Sequence, residues 1–259
     1  MTTVDSAVLV EREAGIARIT LARPDRRNAL GVGDFADLHR ALAEIAASAE
    51  DRAVILTGSG RAFCAGADLS DVVPDAATAA IMRPINEAVR ALHRLPQPCI
   101  AAVNGPAVGA GMSLALGCDL VIAADTASFA QIFVKRALSP DTGSSWLLPR
   151  LVGLHTAKRL ALLGDLITAE QARDLGLVTE IVPADTLLDT AADYARRLAA
   201  GPPIALALTK QLLNAAFTTG FDDALDAETA ANAVNVGTAD MAEAFAAFRE
   251  KRTPEFRGR

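Results

Sequence analysis

The sequence predicts an α/β fold that ends in a helical segment, and three observations carry this. Short apolar runs alternate with stretches of helical periodicity through about residue 183, as strands buried between helices do. Past Pro183 the strand signal ends and only helical periodicity remains. With 259 residues and 51% apolar content, the chain can form one α/β core with an appended helical part, and global disorder is excluded.

Two short strands are expected at 7–10 and 15–21, around an E-R-E-A-G turn. In the second, Ile16, Ile19 and Leu21 mix with Arg18 and Thr20, which suits a half-buried strand. Residues 34–49 read as a helix, because Phe35, Leu38, Leu42, Ile45 and Ala49 recur at spacings of three and four. A-V-I-L-T (53–57) is a continuous apolar run ended by G-S-G, the mark of a strand buried on both faces. Helical periodicity returns over 76–94 and stops at L-P-Q-P; C-I-A-A-V (99–103) is a second buried strand, ended by N-G-P. A short helix at 109–116 and a strand at 119–124 follow. The later helices are 186–198, 203–213 and 221–251, the last broken near Gly237 and Thr238. Pro202 and Pro203 suit a first helical turn.

Composition narrows the function classes. The formal charge of −6, from 25 basic and 31 acidic residues without a long basic run, argues against nucleic acid as a partner. An anionic small ligand remains compatible, since backbone donors and local positive charge suffice for it. Cys64, Cys99 and Cys118 are odd in number and share no CxxC spacing, so a reduced, cytoplasmic thiol set is expected. His39, His93 and His155 show no metal-ligand spacing, and no metal is expected. M-T-T-V-D-S lacks the basic start of a secretory signal. The most apolar region, 99–124, is interrupted by Asn104, Gly105, Pro106, Ser113 and Asp119, so no membrane span is expected there.

There is no P-loop, dinucleotide fingerprint or nucleophile elbow. Two glycine-containing turns remain, each after a buried strand: R-A-F-C-A-G-A-D-L (61–69) and N-G-P-A-V-G-A-G-M-S-L-A (104–115). Small residues let a ligand approach the backbone, and one N–H from each turn can grip a single oxygen, as in acyl-transfer and enolate chemistry. The alternative is two ordinary tight turns.

These stretches, with L-A-R-P-D-R-R-N-A-L (21–30) and F-R-E-K-R-T-P-E-F (248–256), resemble the enoyl-CoA hydratase/isomerase family, the crotonase superfamily, in the family's order over nearly the whole chain. The resemblance implies a crotonase-type spiral of ββα units over 1–200 with a CoA-thioester site, and a helical oligomerisation segment over 201–259. It implies an acyl-CoA substrate, a homotrimer or a hexamer of two trimers, and no separate cofactor, since CoA is part of the substrate. The oxyanion-hole donors fall on Ala67 and Ala110. CoA contacts fall on Arg26, Ala65, Gly66, Asp68 and Leu69, and on Lys251 and Phe256, which in relatives reach CoA across or along the trimer.

The catalytic acids depart from the family pattern. The two glutamates of its hydratases would fall on Ser113 and Phe133, so both are absent here. Asp141, in L-S-P-D-T-G-S-S-W, stands where aspartate-using isomerase-like members of the phenylacetyl-CoA pathway type carry their single acid; the alternative is a helix N-cap. Ser113, Phe133, Leu138 and Trp146 are expected in the substrate pocket, where Ile132, Phe133, Leu138 and Trp146 would raise the pKa of Asp141. Cys64 and Ser113 as nucleophiles are less favoured than buried, pocket-lining roles. The reading is double-bond isomerisation of an enoyl-CoA by one aspartate base. The rivals are a weak enoyl-CoA hydratase and a non-catalytic acyl-CoA-binding trimer.

Overall fold

The structure, a computed structural model, describes residues 7–68 and 78–259. Its strands are β1 (Val8–Glu13), β2 (Ile16–Leu21), β3 (Ala53–Gly58), β4 (Cys99–Val103), β5 (Ala107–Val108), β6 (Leu120–Ala124), β7 (Ser128–Ala130), β8 (Ile167–Thr168) and β9 (Glu180–Val182). Six of them form one sheet in the order β1-β2-β3-β4-β6-β9, antiparallel between β1 and β2 and parallel elsewhere. A small second sheet has the order β5-β7-β8. Every residue of β3 and β4 is buried, which is why these strands read as unbroken apolar runs. In β2 burial alternates and selects Ala17, Ile19 and Leu21, so Ile16 points to the other face.

The helices are α1 (Val32–Ala47), α2 (Thr78–Arg94), α3 (Ala110–Gly117), α4 (Ser144–Val152), α5 (Leu154–Leu163), α6 (Ala169–Asp174), α7 (Leu187–Ala199), α8 (Pro203–Ala215), α9 (Phe221–Val236) and α10 (Ala239–Glu250). Helix α7 packs against β2, β3, β4 and β6, and α1 against α2. Helix α1 starts two residues before the periodicity does, because the Asp34 carboxylate accepts the Gly31 N–H at 2.8 Å and closes its first turn. Residues 76 and 77 of the expected second helix lie outside the described residues. The break at Gly237 and Thr238 is a cap: the Thr238 hydroxyl accepts the Met241 N–H at 3.2 Å and starts α10.

The C-terminal helices hardly close on themselves. Helix α8 has no fully buried residue and α9 has only Ala231, while Phe221 and Phe248 are 78% and 84% exposed. Among the described residues no helix is long and apolar enough to cross a membrane.

Candidate active site

Strands β3 and β4 are parallel neighbours, so the chain leaves both at the same end of the sheet, and the two glycine-containing turns meet there. Cys64 pairs with Ala107, and the Val108 N–H donates to the Cys64 carbonyl at 2.9 Å. Two glycines permit the contact. A Cβ on Gly111 would lie 2.1 Å from the Cys64 carbonyl oxygen. Gly66 has φ +101°, and a Cβ there would lie 2.9 Å from the Val108 oxygen and 3.6 Å from the Ala110 nitrogen.

On its other side the first turn is stitched to residues 27–30. The Ala65 N–H donates to the Arg27 carbonyl, Leu30 to Gly66, and Asp68 to Leu30, all within 2.9 Å. Asn28 underlies this junction: fully buried at φ +57°, it donates from Nδ2 to the Ser59 and Ala62 carbonyls at 2.9 and 2.7 Å. The sequence reading did not single it out; its signal was an asparagine, a residue tolerant of left-handed backbone, inside the 21–30 motif.

Among the described residues the N–H groups of Ala67 and Ala110 have no acceptor. Ala110 is the first residue of α3, where a helix cannot satisfy its own N–H groups. Neither alanine takes a positive φ, so a Cβ at these positions is tolerated. The Gly66 N–H is spent on the Cys64 sulfur at 3.4 Å. Burial pushes the Cys64 thiol up to about 12, so it stays protonated and is no nucleophile at neutral pH.

Ser113 is buried one turn into α3, and its hydroxyl donates to the Gly109 carbonyl at 3.1 Å. His93 lines the same cavity, but among the described residues no hydrogen bond joins the two. Phe133 is 6% exposed and lies beside Gly109, where a Cβ would be 3.9 Å from its ring.

Asp141 is half-buried ahead of α4. The N-cap alternative is not observed: α4 begins at Ser144 behind Gly143 at φ +79°, with no side-chain cap. The Asp141 carboxylate accepts instead from the Thr142 hydroxyl at 3.1 Å, while its backbone carbonyl receives Ser144. Burial raises its pKa above the usual carboxylate value, partly opposed by the Thr142 hydrogen bond.

A cavity of about 220 Å³ is lined by Val89, Leu92, His93, Ser113, Leu114 and Trp146, with Gly143 on its wall. It thus brings Ser113 and Trp146 together. Phe133 and Leu138 do not line it, and Leu138 is 47% exposed. At the outer side of the turns, the Asp68 carboxylate pairs with Arg26 at 2.6 Å and with Arg23 at 3.7 Å, and Arg23 bonds Asp34. Leu69 lies outside the described residues. Lys251 is exposed at the end of α10. The Phe256 carbonyl accepts from Arg52, just before β3, at the opposite end of that strand from the turns. One chain therefore does not bring Phe256 to the turns.

Comparison with known proteins places this geometry. Residues 11–259 match the family described as enoyl-CoA hydratase/isomerase. The chain is 43% identical to the 1,2-epoxyphenylacetyl-CoA isomerase of Escherichia coli K12, over 97% of this chain and 98% of that protein. It is 35% identical to the 2,3-dehydroadipyl-CoA hydratase of the same organism, over 98% and 100%. Among solved structures, an enoyl-CoA hydratase from Bacillus anthracis superposes with a TM-score of 0.94 at 35% identity, over 98% of this chain and 100% of that one.

Proposed function

The chain belongs to the enoyl-CoA hydratase/isomerase family and has the crotonase fold, and from that premise we propose that it moves a double bond within an acyl-CoA thioester. One observation carries the choice of isomerisation. Asp141 is a half-buried carboxylate with no capping duty, while the positions of the two hydratase acids hold a self-bonded serine and a buried phenylalanine. The 43% identity to a protein named 1,2-epoxyphenylacetyl-CoA isomerase supports isomerisation over hydration, although that name specifies an epoxide and not a double bond as the group rearranged.

The thioester oxygen sits between the N–H groups of Ala67 and Ala110, which acidifies the α and γ protons. Asp141 takes one proton, and the dienolate charge rests on the oxygen held by the two donors. The same carboxyl then returns the proton to the other carbon, which shifts the double bond with no net gain or loss of atoms or electrons. As written, the reaction calls for no metal or redox cofactor, and CoA enters with the substrate. Arg26 and Lys251 would meet CoA phosphates, and the exposed C-terminal helices would assemble three chains, or two such trimers.

The test is a coupled assay with 3-enoyl-CoA and 2-enoyl-CoA side by side. Interconversion of the two without 3-hydroxyacyl-CoA is the expected result. Efficient hydration would support the hydratase reading, which the name of the 2,3-dehydroadipyl-CoA hydratase favours. Acyl-CoA binding without turnover would leave a binding protein.

A further inference from the structure

We propose that His93 and Trp146 together form an acyl-length stop, so that this chain takes a compact acyl group, a single ring or a short chain, and gains no further affinity from a longer acyl tail. The inference rests on the acyl-CoA reading above and goes beyond it to the size of the substrate.

The 220 Å³ cavity starts at Ser113, three residues past Ala110 and so on the same helical face, and passes Gly143, two residues from Asp141. Neither alanine donor nor Asp141 lines the cavity; Ser113 and Gly143 are its links to them, and a thioester held at the Ala110 N–H would reach it past Ser113. Val89, Leu92, Leu114 and Leu147 give it apolar walls, and the exposed Arg90 and Arg94 rim its solvent side. Beyond it lies a second cleft of about 470 Å³ under α8, reaching Leu206, Leu213 and Phe217. The two spaces share His93, Gly117, Trp146 and Leu147 on their common wall.

That wall is a built partition. The His93 and Trp146 rings meet edge to face at 5.3 Å and 77°. The Arg150 guanidinium lies 4.0 Å over the Trp146 ring and donates to the Trp146 carbonyl at 2.8 Å, and Asn214 donates to the His93 carbonyl at 3.2 Å. Burial and the positive charge of Lys210 lower the His93 pKa, which favours a neutral ring in this apolar wall. A cavity of roughly 150 Å³ holds one benzene ring. Toward this wall the inner space therefore takes a ring with about one or two further methylenes, and a longer tail must turn out through the solvent side.

The experiment is calorimetric titration of the full chain with saturated acyl-CoAs from butanoyl to hexadecanoyl, and with phenylacetyl-CoA. Saturated chains have no double bond to move, so binding is read apart from turnover. In the native protein affinity should climb about fourfold per methylene and break between hexanoyl and decanoyl. His93→Ala opens the partition and should move the break to dodecanoyl or beyond, with the hexadecanoyl-to-hexanoyl affinity ratio rising at least about tenfold. Val89→Phe fills the inner space and should move the break to shorter chains and weaken phenylacetyl-CoA about tenfold. An unbroken climb to hexadecanoyl in the native protein overturns the proposal, as does an unmoved break in folded His93→Ala. Should His93→Ala not fold, the native series and Val89→Phe decide. A break in a protein without isomerase turnover would sink only the double-bond reading; turnover without a break would sink only the stop; absence of acyl-CoA binding would sink both.

Discussion

Asp141 caps no helix, and among the described residues its carboxylate hydrogen-bonds to the Thr142 hydroxyl, which leaves it available as the proposed base. Asp141→Asn should lower isomerisation by at least roughly 100-fold while leaving acyl-CoA affinity within about twofold, measured by parallel kinetics and titration. Its pH behaviour has a defined sign. The base works ionised, so kcat/KM should fall as pH drops through a pKa lying above the ordinary carboxylate value. For stability the direction reverses. A raised native pKa means the folded chain binds this proton more tightly than the unfolded one, so stability is lost as pH rises from the ordinary value through the raised one. Asp141→Asn should therefore raise Tm at neutral pH, and the gain should vanish at pH below the unfolded carboxylate pKa. A lower Tm at neutral pH would show a structural role for the charge. Ala110 permits an equally local test, because proline is tolerated at the first residue of a helix. Ala110→Pro removes one donor and should cut turnover roughly 100- to 1,000-fold, with circular dichroism verifying the fold.

At the scale of elements, the two turns that carry the proposed donors meet because β3 and β4 are adjacent and parallel, which lays one turn against the other. Gly111 is the closest point of that contact, with backbone rather than a movable side chain opposite it. Gly111→Ala must push α3 away from Cys64, at a cost of about 1–3 kcal/mol. A donor displaced by about 1 Å should lose roughly 100-fold in turnover. Denaturant melts and kinetics on the same preparation should show both losses, and a variant that keeps native turnover would mean that the donors do not depend on this contact. Periodicity and apolar runs made β1 to β4, β6, α1 to α3 and α7 to α10 legible, but not the helices α4, α5 and α6. The two- and three-residue strands β5, β7, β8 and β9 were not, since so few residues carry no period, and they form only because long-range partners are at hand.

For the whole molecule, the exposed C-terminal helices set the expectation of assembly. Phe245 and Phe248 are 58% and 84% exposed on α10, and burying each would contribute about 1.5–3 kcal/mol. Light scattering at micromolar concentration should give a trimer or hexamer, and Phe245→Glu with Phe248→Glu should shift it toward single chains with a lower Tm. A native monomer would refute this.

The sequence by itself determined the α/β class, the buried central strands, the helical C-terminal segment and, through its motifs, the two turns with Ala67 and Ala110 at their tips. The elements and turns are local properties, written in periodicity and in glycine placement, whereas Ala67 and Ala110 were picked out within the turns by the family resemblance. Through the family resemblance it also named Asp141, favoured as a base over a helix cap. Only the tertiary structure decided that question's architectural half, because a cap is a hydrogen bond and the carboxylate makes that bond to Thr142 instead. It alone brought His93, about 50 residues before Trp146, into one wall, and left Phe256 at the far end of β3 from the turns. Such meetings depend on strand order and helix packing, and no spacing along the chain encodes the distance between residues that only the folded core brings together.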